Sequence, residues 1–178
     1  MEKLPKGRHL MAAILADTHA ILWYLTADAR IPRAAIAALD NATTAGDPIF
    51  VSAITMVEIQ YLVEKGRLSA DDQSIVVAAV DDVRNPARLV PVDRIVVDTL
   101  GQVRRDEVPD MPDRIIAATA LALGVPLLSR DRKIRASQVE TIVSVRATAS
   151  VNPGVCLVNW KGDNRWRDKA EAEPGGSR

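Results

Sequence analysis

The sequence predicts a three-layer α/β/α sandwich built on a central parallel sheet, and three observations predict it. Short aliphatic runs alternate with stretches of helical periodicity, the βαβ rhythm that yields parallel strands with helices on both faces. Aromatic residues are only 3% of a chain that is 48% hydrophobic, so the core is assembled from Ile, Leu, Val and Ala, the residues of strands covered on both sides. At 178 residues the chain suffices for one domain with a substantial core and is short for two.

Taken in order, residues 1–10 are polar and read as an N-terminal extension, residues 11–146 as the folded domain, and residues 147–178 as an appendage. The charged, Gly-rich end of that appendage buries too little apolar surface to fold alone. Residues 12–16 read as a buried strand, after which Thr18 caps a helix carrying Ile21, Leu22 and Leu25. Pro32, at a first helical position, opens a second helix to about Leu39, and turn residues 41–48 lead to a strand over 49–52. A helix over 55–65 follows, stopped by Gly66, with Glu58 in its first turn. Ser69 with Asp71 and Asp72 starts another helix, because anionic side chains favour the N-terminal end of the macrodipole, and Asn85-Pro86 ends it.

Residues 89–92 form a short strand and 93–105 a helix in this reading. The clearest helix starts at Pro112, carries Ile115, Ile116, Thr119, Ala120 and Leu123 on one face and stops at Gly124, with Asp113 in its first turn. Residues 126–129 are a strand leading into Asp131, and 141–145 the last strand.

Lysine plus arginine balance aspartate plus glutamate at 23 each, so no bulk positive field announces a nucleic-acid partner and any such binding depends on local arrangement. The single cysteine, Cys156, supports neither an intramolecular disulfide nor a Cys-based zinc site, which points to a reducing, cytoplasmic setting. Lys3, Lys6 and Arg8 precede an apolar run, but Asp17 cuts it short of a secretion signal, and no run approaches the ~20 apolar residues that span a bilayer. No His-Glu-X-X-His, P-loop or Gly-X-Ser-X-Gly motif is present, so zinc protease, NTPase and serine hydrolase readings have no support.

Four acids stand out: Asp17, Glu58, Asp113 and Asp131. Each has a structural explanation by itself. Thr55 to Glu58 fits a capping box, Asp113 complements a helix N-terminus, Asp131 suits a cap, and Asp17 starts a turn after a strand. Jointly, all four fall on the side of their βα units where parallel α/β proteins bind ligands, outside the strand C-termini. Converging carboxylates repel one another and lose hydration on burial, so such a cluster calls for a divalent cation, and the chain reads as a metal-dependent hydrolase. His19, on an apolar helix, reads as a packed or edge residue rather than a general base.

The surrounding residues resemble the PIN-domain ribonucleases, in particular VapC-type toxins of prokaryotic toxin-antitoxin pairs. Ala16-Asp17-Thr18-His19-Ala20-Ile21-Leu22-Trp23 resembles the opening motif, and Val51-Ser52-Ala53-Ile54, leading to Glu58-Ile59 and Lys65-Gly66-Arg67-Leu68, the second. Pro112-Asp113-Arg114-Ile115-Ile116-Ala117-Ala118-Thr119-Ala120 resembles the third, and Leu127-Leu128-Ser129-Arg130-Asp131 the fourth. The resemblance implies that Asp17, Glu58, Asp113 and Asp131 hold Mg²⁺ or Mn²⁺, with Thr18 and Ser129 in support. It implies an endoribonuclease, a cognate antitoxin and a homodimer. Arg114, Arg130 and Arg132, beside the third and fourth acids, are expected to contact RNA. A dimer could use Ile75, Val76, Ala79 and Val80, whose alternative place is the monomer core. The readings in competition are a non-catalytic PIN-like or receiver-like metal-binding scaffold and an aspartate-based phosphatase, the latter weakened by His19 where that chemistry needs a second acid.

Overall fold

The computed structural model describes residues 12–131 together with 139, 141 and 142. Its element order is β1 (Ile14–Ala16), α1 (Thr18–Leu25), α2 (Arg33–Ala45), β2 (Ile49–Ser52), α3 (Ala53–Glu64), α4 (Ala70–Asp81), β3 (Ala87–Val90), α5 (Arg94–Thr99), a 3₁₀ turn (Leu100–Gln102), α6 (Met111–Leu123), β4 (Leu127–Leu128) and β5 (Thr141–Ile142). The strands form one parallel sheet in the order β3-β2-β1-β4-β5. The chain thus runs outward from β1 in one direction, returns, and runs outward in the other. Between β1 and β4 the direction reverses, and a crevice opens at such a point because the flanking connections leave on opposite faces.

Alternation along the strands builds the three layers. Leu15, Phe50 and Leu127 point to the face covered by α5 and α6, where they meet Val96, Ile116, Ala117 and Ala120. Ile14, Ala16, Ile49, Val51 and Leu128 point to the other face and pack on Ile21 of α1 and Leu39 and Ala42 of α2. Small residues on α6 let that helix approach the sheet closely. A third cluster, Leu22, Ile59 and Val76, joins α1, α3 and α4 beside the sheet. Each fully buried aliphatic side chain of this kind stabilises the fold by roughly 1.5–3 kcal/mol.

The α/β/α architecture matches the expectation, while several boundaries move for local reasons. Helix α1 is capped by Asp17, whose carboxylate accepts from the Ala20 amide, so Thr18 is its first residue rather than its cap. Helix α2 continues through residues expected to turn, because Ala42 lies on the buried face next to Leu39. Helix α3 begins at Ala53, directly after β2, which puts Glu58 in its second turn and removes the Thr55-based capping box. The strand expected at 89–92 pairs over Ala87–Val90, and the helix expected over 93–105 breaks into α5 and a 3₁₀ turn. Val76 and Ala79 are buried, so that face of α4 belongs to the monomer core. The extensions 1–10 and 147–178, Cys156, Arg132 and the end of the 141–145 strand lie outside the described residues.

Candidate active site

The site forms where β1 and β4 end. The Asp17 amide donates to the Leu128 carbonyl, 3.1 Å, so the last hydrogen bond of the β1–β4 ladder also fixes the first acid. Asp17 is only 6% exposed. Its Oδ1 takes the Ala20 amide at 2.7 Å, and the N-terminus of α1 favours its negative charge. Next to it, Thr18 Oγ1 donates to Glu58 Oε2 at 2.5 Å, a bond from α1 to α3 that aims the glutamate at the same opening. Thr55, fully buried, lies 3.4 Å from the same hydroxyl.

From the other side of the crevice, α6 supplies Asp113 and β4 leads to Ser129 and Asp131. The buried Ser129 hydroxyl accepts the Asp131 amide at 3.0 Å, which ties the two residues together just after the strand. Ser129 therefore supports Asp131 through the backbone.

The electrostatics show that the acids share one region. Burial pushes the Asp113 carboxyl up to about 7, assisted by the charges of Asp110, Asp131, Glu58 and Asp17. Glu58 is raised as well, chiefly by burial and further by Asp110 and Asp17, against the lowering effects of the Thr18 hydrogen bond and of His19. Asp113 is thus within electrostatic reach of the other three expected acids, although among the described residues no three of them close on a single point. The donor set is all oxygen and rich in charge, with Asp17 buried and Glu58, Asp113 and Asp131 partly buried. That chemistry fits a hard divalent cation that retains several of its waters.

A fifth acid, Asp110, escaped the sequence reading. It caps α6, accepting from the Asp113 amide, and raises both Asp113 and Glu58. The signal was present in Asp110-Met111-Pro112: an aspartate two residues before a proline in the first helical turn is an N-cap pattern.

Among the arginines, Arg114 is half-buried and directs its guanidinium to the carbonyls of Val103 and Leu100, so it braces the 3₁₀ turn against α6. Arg104 pairs with Asp106 and Glu107. Arg130 is exposed, makes no ion pair among the described residues, and lies over the Trp23 ring at 4.7 Å from its centroid. His19 is exposed and meets the same ring edge-on at 5.4 Å, as befits an edge residue.

A parallel sheet with this reversal point, an acid at the end of each strand beside it, and two further acids from helices are the parts of a nuclease-like α/β domain. The chain belongs to the PIN domain family, which it matches over residues 14–139. It is 27% identical over 135 residues to ribonuclease VapC22 of Mycobacterium tuberculosis, an alignment covering 76% of this chain and 99% of that protein. Its fold is that of a chain in the VapBC2 complex of Rickettsia felis bound to a promoter DNA fragment, with TM-score 0.57 at 16% identity over 74% of this chain and 98% of the other. The FitAcB structure of Neisseria gonorrhoeae is similar, with TM-score 0.53 at 21% identity over 74% and 97%. Among the described residues no helix is long and apolar enough to cross a membrane.

Proposed function

We propose that this protein is an endoribonuclease dependent on Mg²⁺ or Mn²⁺, acting in the cytoplasm as the toxin of a toxin-antitoxin pair. The observation that supports this reading is the burial of Asp113, whose carboxyl is pushed to about 7 with the charges of Asp110, Asp131, Glu58 and Asp17 assisting. Such mutual repulsion is relieved by a cation. The similarity to a ribonuclease over three-quarters of the chain supports RNA as the substrate class.

In this mechanism Asp17 and Asp113 are the principal ligands, with Glu58 and Asp131 completing the site directly or through water. When bound, the ion supplies charge neutralisation at the phosphate and a water of lowered pKa. Asp17 is held rigidly by its cap to Ala20, Glu58 is oriented by Thr18, and Asp131 is oriented by Ser129. Water adds at phosphorus and the 3′-oxygen departs with a proton, which leaves a 5′-phosphate and a 3′-hydroxyl. A 2′,3′-cyclic phosphate product would sink this mechanism, because that end arises from attack by the RNA's own 2′-hydroxyl.

Arg130, and Arg132 beyond the described residues, are read as RNA contacts. Arg114 acts by holding the α5–α6 connection, with any RNA contact secondary to that brace. A cognate antitoxin, supported by the complexes in which the similar folds were solved, and a homodimer complete the reading.

The decisive experiment is cleavage of total and transfer RNA by the antitoxin-free protein with Mg²⁺, Mn²⁺ or EDTA, alongside Asp17→Asn. Discrete metal-dependent fragments, absent from the variant, are expected. Stabilisation by Mg²⁺ without turnover of any RNA would favour a metal-binding scaffold instead.

A further inference from the structure

Trp23 is almost completely buried at 4% exposure, yet three polar side chains gather on its ring. His19 meets its edge, Arg30 sits 5.1 Å from its centroid, and Arg130 sits 4.7 Å from it. The two arginines differ. Arg30 is bound to the Asp28 carboxylate through both Nε and Nη2, so its charge is compensated and its role is to close the loop after α1. Arg130 has no carboxylate partner among the described residues, although it follows β4 into the acid-rich crevice and immediately precedes Asp131.

Arg130 lines the same cleft as Asp17, yet it forms no ion pair with a carboxylate among the described residues. Here an indole, the aromatic ring that attracts cations most strongly, holds it instead. A guanidinium over a ring uses its face for that contact and keeps the N–H donors around its rim free for an anion.

The surroundings of this pair form a cleft. Asp17, His19, Ile31, Pro32, Ser129 and Arg130 are among the residues that line it. A single-stranded nucleic acid offers such a guanidinium a second phosphodiester next to the one held at the acids.

We propose that Arg130, stationed on Trp23 beside Asp17, grips the phosphodiester adjoining the one that is cut. The proposal rests on the phosphodiesterase reading above and adds to it a subsite whose positioning residue, Trp23, never touches the RNA. Because the grip is on the backbone, it is indifferent to base identity.

The test uses the full-length chain. Binding of a short fluorescent single-stranded oligoribonucleotide to the Asp17→Asn protein is followed with Mg²⁺ over a salt series, and kcat and KM are measured separately in the Asp17 background. Arg130→Gln should weaken binding about tenfold for every sequence tried and lower the slope of log affinity against log salt by about one. It should raise KM more than it lowers kcat. Arg130→Lys, which keeps the charge but loses the planar fork, should recover only a small part of the loss. Trp23→Leu should weaken binding, Trp23→Phe should retain more of it, and Trp23→Leu should add little once Arg130 is already Gln. Wild-type affinity in Arg130→Lys, or fully additive losses at the two positions, would overturn the subsite while leaving the nuclease intact. A wild-type protein that neither binds nor cleaves any RNA would overturn both.

Discussion

Asp113 shows how one carboxyl group records its surroundings. In an unfolded chain an aspartate titrates near ~3.9, whereas burial and four acidic neighbours push Asp113 to about 7. Between those values the native state holds a proton that the unfolded state has released, so stability falls as pH rises. The contribution is present in full below the unfolded value and is lost as pH passes through about 7. Without divalent ions, the melting temperature should therefore decline from pH 5 to pH 8, and Asp113→Asn should remove most of that decline. A variant whose profile parallels the wild type would assign the pH dependence elsewhere. Thr18 offers a second test at this scale. Thr18→Val preserves shape but deletes the donor to Glu58, whose carboxyl should then titrate higher still, a change readable by side-chain NMR. An unmoved Glu58 would mean that the hydroxyl does not orient it.

Helix α6 is defined at both ends by a single residue. Asp110 caps its N-terminus, and Gly124 ends it with φ +65°, a conformation that costs an L-residue about 1–2 kcal/mol. An added Cβ at Gly124 would meet nothing within 4 Å, so Gly124→Ala isolates the backbone strain and should destabilise by about 1 kcal/mol, with Gly124→Asn milder. Asp110 plays two opposed parts. Asp110→Ala should cost about 1 kcal/mol of capping energy, while Asp110→Asn should keep the cap and lower the Asp113 titration point by removing one repelling charge. Equal effects of the two substitutions in chemical denaturation would show that the charge, not the hydrogen bond, dominates.

These elements also show what the sequence discloses and what it withholds. Pro112, Gly124, Ser69 and Gly66 act through their own backbone or a neighbour's, and the ends they mark were legible. The strand ends and early helical turns that carry the four acids were legible too, because the periodicity around them is strong. The longer α2, the break after α5 and the start of α3 were not, since each is decided by packing on residues distant in sequence. Arg114 was read by its position beside Asp113, but its destination, the Leu100 and Val103 carbonyls, exists only once the 3₁₀ turn has folded against α6. Trp23 counted as one more apolar residue in the motif, and nothing local reveals that Arg130 comes to rest on it.

For the molecule as a whole, the proposed cation site ties stability to the ion it would bind. A ligand that prefers the native state stabilises it by RT ln(1 + [L]/Kd), about 2.7 kcal/mol at a hundredfold excess over Kd. Saturating Mg²⁺ should raise the melting temperature by about 5 °C or more in a domain of this size, and EDTA should reverse the shift. Mg²⁺ should also flatten the pH profile described for Asp113. A chain carrying Asp17→Asn and Asp113→Asn should melt at the same temperature with or without the ion; a preserved shift would locate binding away from the crevice.

The central position of β1 carries a further consequence for how activity comes into being. The strand that leads to Asp17 is nearly the first described segment, yet its two neighbours begin at Ile49 and at Leu127. Synthesis proceeds from the N-terminus, so β1 and β2 can meet while the ribosome is still working, but the far wall of the crevice arrives only with β4. Until then Leu15 and Ala16 have an open edge and Asp17 lacks its tether to Leu128. A nascent chain is in this sense unarmed, and the sheet order delays the assembly of its chemistry until most of the domain has left the ribosome.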